Sequence, residues 1–154
     1  MKVVLAVLLA AITAWSMFTY WLFVYGWPLD RSSMEYVEAN ISPIITSHSQ
    51  EEFAKRASPE LLASLSDAKL KEKLYNLSLL GRITYRAGFR GHSTIHLGQS
   101  VTATYTADAT FENAQGHIEV DLIRQNSAWA ISDLRFTVQV NGEQRTLQFA
   151  EAKK

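Results

Sequence analysis

The sequence contains no cysteine. That removes disulfides, thiolate nucleophiles, cysteine lipidation and cysteine-based metal sites together, and leaves the redox compartment open. It also lacks net charge, since fifteen Lys and Arg balance fifteen Asp and Glu. The basic excess of a nucleic-acid binder is therefore missing, and nucleic acid is not an expected partner. There is no glycine-rich phosphate loop, no paired Ser, His and Asp spacing, no heptad run, no internal repeat and no low-complexity tract. Nothing in the chain announces a cofactor, so none is expected.

Charge is also missing locally. Val3 to Tyr25 is a run of 23 residues without an ionisable acid or base of the Asp, Glu, Lys or Arg type, with Thr13, Ser16 and Thr19 as its polar interruptions. As a helix such a run reaches about 35 Å, enough for a hydrocarbon core of about 30 Å. Tyr20, Trp21, Tyr25 and Trp27 gather at its far end, as at a membrane interface. The competing reading is a secretory signal cleaved near Ala14-Trp15-Ser16, which would release a soluble domain. The apolar run continues well past that site, which favours a retained anchor. The reading is thus a signal-anchor helix over 1–27, a linker over 28–32, a folded domain over 33–150 and a charged tail over 151–154. Lys2 and the amino terminus outweigh Arg31 on the other side, placing the N-terminus in the cytoplasm and the domain outside it, in the periplasm if the cell is bacterial. Ala6, Ala10 and Ala14 recur every four residues, a small-residue stripe suited to packing against the membrane helix of another subunit.

In the rest of the chain, helix signals come first. Met34, Val37, Ile41, Ile44 and Ile45 recur at helical intervals and predict a helix from about Ser33 to Ser47, opened by a Ser32 and Glu35 capping box. Pro43 either kinks it or restarts it. Ser49 with Glu52, Ser58 before Pro59, and Ser66 before Asp67 open three more helices. The last carries Leu70, Leu74 and Leu77 on one face and ends at Gly81. Beyond Gly81 the period becomes two. "RITYRAG" alternates, "HSTIHL" is a short candidate, and "VTATYTADATFE" alternates without a fault. A turn at Asn113–Gly116 leads into "HIEVDLIRQ", and a turn at Asn126-Ser127 into "AWAISDLRFTVQV". In that strand the apolar phase slips near Ser132-Asp133, which predicts a β-bulge. Asn141-Gly142 predicts a two-residue hairpin into "EQRTLQF".

"ASPELLASLS", a helix closing on "LLG" before the first strand, and "ATFENAQGHIEVDLIRQNSAWAISDLRF" together resemble the nuclear transport factor 2-like superfamily, the cystatin-like cone, over about residues 33 to 140. The resemblance implies an α+β fold in which short helices pack on a curved antiparallel sheet. It also implies a choice among isomerase-like enzymes, ligand binders and membrane-anchored assembly components, which fold alone does not make.

Enzymes of that superfamily carry acid and base groups inside the cone. Pairing Phe111 with Ile118, Ala109 with Val120 and Ala107 with Leu122 turns Ile83, Tyr85, Val101, Ala103, Tyr105, Phe111, Trp129 and Ile131 inward, a set with no carboxylate and no histidine. Catalysis would then fall to Asp133, Arg124 and the tyrosines. A candidate small-molecule pocket comprises Tyr75, Tyr85, Tyr105, Trp129 and Asp133. His92 and His96 have a metal-binding spacing on a helix, but in a strand they stand about 13 Å apart, and no metal is expected. His48 and His117 read as surface or helix-end residues. Arg82, Arg86, Asp108, Asp121 and Arg135 are placed on the outer face, with Asp108 opposite Asp121, either as a solvated lattice of ion pairs or as a docking face for another subunit. The reading is of a non-catalytic, single-span membrane protein of the cell envelope that binds or assembles with other membrane subunits. The alternatives are an isomerase-like or small-molecule-binding cone using Tyr105 and Asp133, and a secreted domain.

Overall fold

Serine hydroxyls set the starts of three of the helices. A computed structural model of the chain describes residues 2–21, 27–96 and 101–150, and side chains at 2–6, 8, 9, 21 and 27 lie outside the description. The helices are α1 (Lys2–Trp21), α2 (Trp27–Ser47), α3 (Gln50–Ala54), α4 (Pro59–Ser64) and α5 (Asp67–Ser78). Ser49, Ser58 and Ser66 are N-caps whose hydroxyls accept from the backbone N–H of Glu52, Leu61 and Lys69, as the sequence predicts. Gly81, just past α5, has φ +80°, the left-handed geometry that ends a helix.

The first predicted helix starts earlier than expected. α2 begins at Trp27, takes in residues 28–32 in place of a linker, and runs through Pro43 without interruption. Pro28 suits a first turn because its missing N–H has no helical partner there, and Asp30 suits the positive end of the helix dipole. Ser32 is not a cap, since its hydroxyl donates back to the Leu29 carbonyl. α1 is described to Trp21, and the remainder of the expected anchor, residues 22–26, lies outside the described residues. Among the described residues no helix is long and apolar enough to cross a membrane. The described side chains of α1 are Val7 and those at 10–20, and all are exposed.

The strands are β1 (Ile83–Arg86), β2 (Arg90–Ile95), β3 (Val101–Phe111), β4 (Gln115–Gln125), β5 (Ala128–Val140) and β6 (Glu143–Gln148). They form one antiparallel sheet in the order β1-β3-β4-β5-β6, with β2 also paired to β3 beyond the end of β1. The chain is thus an α+β protein. The predicted phase slip in β5 is a bulge, because Asp121 faces Asp133 while Leu122 faces Ile131, leaving Ser132 as the extra residue. The Asn141-Gly142 hairpin forms in the predicted register, with Val140 opposite Glu143 and Phe136 opposite Leu147.

The β3–β4 register is corrected. Ala107 faces Ile118, Tyr105 faces Val120 and Asp108 faces His117, four residues away from the expected pairing, because the turn is tighter and Phe111 N–H donates to Ala114 O at 2.7 Å. A shift by an even number leaves each side chain on its expected face. A second bulge, at Thr84 in β1, does change faces. Buried side chains of α2, α3, α4 and α5 meet the inner face of the sheet in one core, with Phe53 stacked on Phe149 at 4.9 Å.

Candidate functional site

The first turns of α2 are joined to the sheet by polar groups. Leu29, Ser33, Val37 and Ile41 follow one another at four-residue steps, so they share the buried face of α2, and Ser33 is a hydroxyl set into an apolar stripe. Its Oγ lies 2.7 Å from the Tyr105 hydroxyl, and that phenol also donates to the Asp30 carbonyl at 3.1 Å. One residue earlier, Ser32 Oγ accepts from the Trp129 indole N–H at 3.0 Å. The Asp30 carboxylate accepts from the Ser93 N–H at 2.6 Å and from the Ser93 hydroxyl. Three strands are thereby fastened to one end of α2. Gly91 permits the β2 contact to β3, since a Cβ there would run into the Thr104 carbonyl.

Tyr105 is fully buried, and burial, aided by the charge of Asp30 and opposed by the bond to Ser33, raises its phenol above the ordinary tyrosine range. Its hydroxyl is thus bonded within the fold to Ser33 and to the Asp30 carbonyl.

The other residues of the candidate pocket do not gather around it. Tyr85, expected inside, is 63 % exposed, because the bulge at Thr84 turns it outward. Tyr75 is 64 % exposed on the free side of α5. Trp129 is half-buried at the sheet end. Asp133 is buried at the β5 bulge, where its carboxylate accepts from its neighbour Leu134 N–H at 2.8 Å, the Ala150 N–H at 2.7 Å and the Gln148 amide at 2.7 Å, with Arg135 at 3.3 Å. It fastens the C-terminal edge of the sheet and shares no bonding partner with Tyr105.

The outer-face charges are mostly paired. Asp108 and Asp121 are not opposite each other, so the expected repulsion does not arise: Asp108 faces His117 and meets Arg90 at 3.0 Å, and Asp121 faces Thr104, whose hydroxyl it accepts from at 2.6 Å. Arg82 pairs with Glu112 at 3.1 Å and Arg135 with Glu119 at 2.6 Å. Arg86 is corrected: the same bulge turns it toward the helices, where it grips Glu38 of α2 at 2.6 Å and lies 4.6 Å over the Phe89 ring. The hydrogen bond from Arg86 holds the Glu38 carboxyl below its usual range. Tyr85, Asp108, His117 and Gln139 border an open groove of about 610 Å³ on this outer face.

Among the described residues no group of three His, Cys, Asp or Glu side chains is placed to share a metal ion. His92 lies in β2 and His96 just beyond it, where His96 bonds Thr102 at 3.1 Å. His48 follows the end of α2 with φ +50°, and its Nε2 is buried without a partner. On α1, Ala10 and Ala14 are exposed, and the Ala6 side chain lies outside the described residues.

Asp30, Ser32, Ser33 and Ser93 escape a reading of the sequence because their partners are distant in the chain. A sequence signal did exist for one of them: Ser33 falls on the apolar stripe once α2 is begun at Trp27 rather than at Ser33.

Compared with family models, curated proteins and solved structures, the chain matches none.

Proposed function

We propose that the chain is a single-pass, membrane-anchored binding or assembly subunit of the cell envelope, with its N-terminus in the cytoplasm and a non-catalytic, nuclear transport factor 2-like cone outside it. The observation that carries this reading is α1. Val7, Ile12, Trp15, Met17, Phe18 and Tyr20 are each at least 56 % exposed, so the folded domain leaves this apolar helix uncovered. A surface of that kind calls for lipid or another protein around it. The described helix does not by itself meet the length and apolarity of a span, so the span is proposed from the sequence, which holds no charge between Lys2 and Asp30.

The hydroxyls of Thr13, Ser16 and Thr19 donate to carbonyls one turn back, which satisfies them without water and suits an apolar medium. Binding rather than catalysis is supported by Tyr105 and Asp133, whose hydrogen bonds are taken up within the fold. The element order, short capped helices and then a bulged antiparallel sheet, suits the cone reading.

The test is flotation of the full chain with liposomes after an alkaline carbonate wash. The expected result is that the full chain floats and a variant lacking residues 1–26 stays in the soluble fraction. A full chain extracted by carbonate would overturn the anchor.

A further inference from the structure

Seven of the eight arginines hold a carboxylate at 2.6–3.3 Å. Arg124 is the exception among the described residues. Its Nε is buried with no hydrogen-bond partner, and its guanidinium carbon lies 5.9 Å from the centre of the Trp129 ring. Glu60 takes the amide of Gln125, the residue after Arg124, at 2.8 Å, and Asp30, two residues before the Ser32 that bonds Trp129, takes Ser93. A buried N–H without an acceptor is unfavourable, the residue as a whole is only half-buried, and its planar fork matches a phosphate group in a two-point contact. A cation–π contact with the indole uses none of the N–H donors and leaves them for such a contact.

The place of Arg124 in the fold decides which phosphate it meets. It faces Val101 on one side and Trp129 on the other at the end of the sheet, and Trp129 is bonded to Ser32 in the first turns of α2. That end of the domain is the one joined to α1. Five residues, 22–26, separate Trp21 from Trp27, a connection that spans about 20 Å at most. The headgroup layer on each side of a bilayer is about 5 to 8 Å deep, so the sheet end is within tether reach of it.

We infer that Arg124 binds the phosphodiester of a membrane lipid headgroup, with Trp129 as its cation–π neighbour. The inference rests on the membrane reading above. Because Arg31 near this rim is already paired with Glu35, attraction comes from this one cation and not from a broad basic patch.

The experiment uses the ¹⁵N-labelled full chain in phosphate-free maltoside micelles and in phosphatidylglycerol nanodiscs. The Arg124 Nε–H signal is identified by its absence from Arg124→Lys, and independently by its displacement in Trp129→Phe, which removes the indole. The expected result is a downfield shift of that proton in the nanodiscs, with no shift when millimolar inorganic phosphate is added to the micelles. An unchanged signal in chains that have entered the nanodiscs overturns the inference and leaves the anchor standing. An equal shift with inorganic phosphate assigns the site to a free anion and overturns the lipid. Failure of the chain to enter nanodiscs overturns both.

Discussion

At the scale of single residues, the polar groups inside the domain act as fasteners. Tyr105 shows how. Its hydroxyl bonds Ser33 and the Asp30 carbonyl, yet the Ser33 hydroxyl also donates to the Leu29 carbonyl at 2.8 Å. Tyr105→Phe therefore strips no donor bare, and the expected loss is the ordinary net worth of a hydrogen bond, about 1 kcal/mol. Urea unfolding of the full chain in detergent measures it. A Tyr105→Phe protein that stays folded with a loss of that size, but abolishes the cellular phenotype, would make the phenol catalytic and defeat the non-catalytic reading. That Tyr105 faces inward was legible from the alternation of β3, because one exposed face and one covered face force period two. Its partner was not, since Ser33 lies 72 residues earlier and nothing local marks which hydroxyl will meet it. Arg86 and Tyr85 were misplaced for a related reason: an extra residue at Thr84 reverses the faces after it, and "RITYR" is too short for a phase slip to show. In β5 the slip was legible because Trp129 and Ile131 on one side of it, and Leu134, Phe136 and Val138 on the other, supply enough apolar positions to reveal both phases.

Among elements, the hairpin of β5 and β6 closes the core rather than trailing from it. Phe149, just beyond β6, is fully buried, stacks on Phe53 of α3 at 4.9 Å and meets Phe136 of β5 edge-on at 6.5 Å. Its N–H donates to the Leu134 carbonyl at 2.9 Å, and Asp133 holds the next residue, Ala150, by its N–H. Lys73 of α5 reaches the Gln148 carbonyl from the helical layer. A chain ending at Gly142 loses all of these together. Removal of the Phe149 ring alone is expected to cost about 3 to 5 kcal/mol, a large part of the stability of an ordinary domain. Thermal unfolding of the truncated chain should therefore show a strongly lowered midpoint or no cooperative transition, and an unchanged midpoint would make the segment a dispensable tail. The turn itself was readable from Asn141-Gly142, as both residues take positive φ, 53° and 84°, which Asn and Gly tolerate best. The β3–β4 turn carried a weaker signal, and its register was displaced accordingly.

For the whole molecule, the domain covers its own core but leaves α1 bare, and the question is what covers that helix. Lipid alone would satisfy an apolar cylinder. Ala10 and Ala14, both exposed, put small side chains at one position per turn on a single face, and small residues let a second membrane helix approach closely enough for dispersion to hold it. An assembly subunit is expected to use that face, because the outer sheet face of the domain carries charges that are already paired with each other and bring little net attraction. Ala10→Leu enlarges the stripe at its middle while preserving apolar character, so insertion and the folding of the domain should be unaffected. Leu8→Ala, off the stripe, is the control. Crosslinking followed by recovery of partner subunits from membranes should give wild-type yield for Leu8→Ala and a reduced yield for Ala10→Leu, with all three proteins retained in the membrane fraction. Equal recovery from all three would reduce α1 to a tether and move any assembly role to the domain, where the open outer-face groove beside Tyr85, Asp108 and His117 would be the next surface to test.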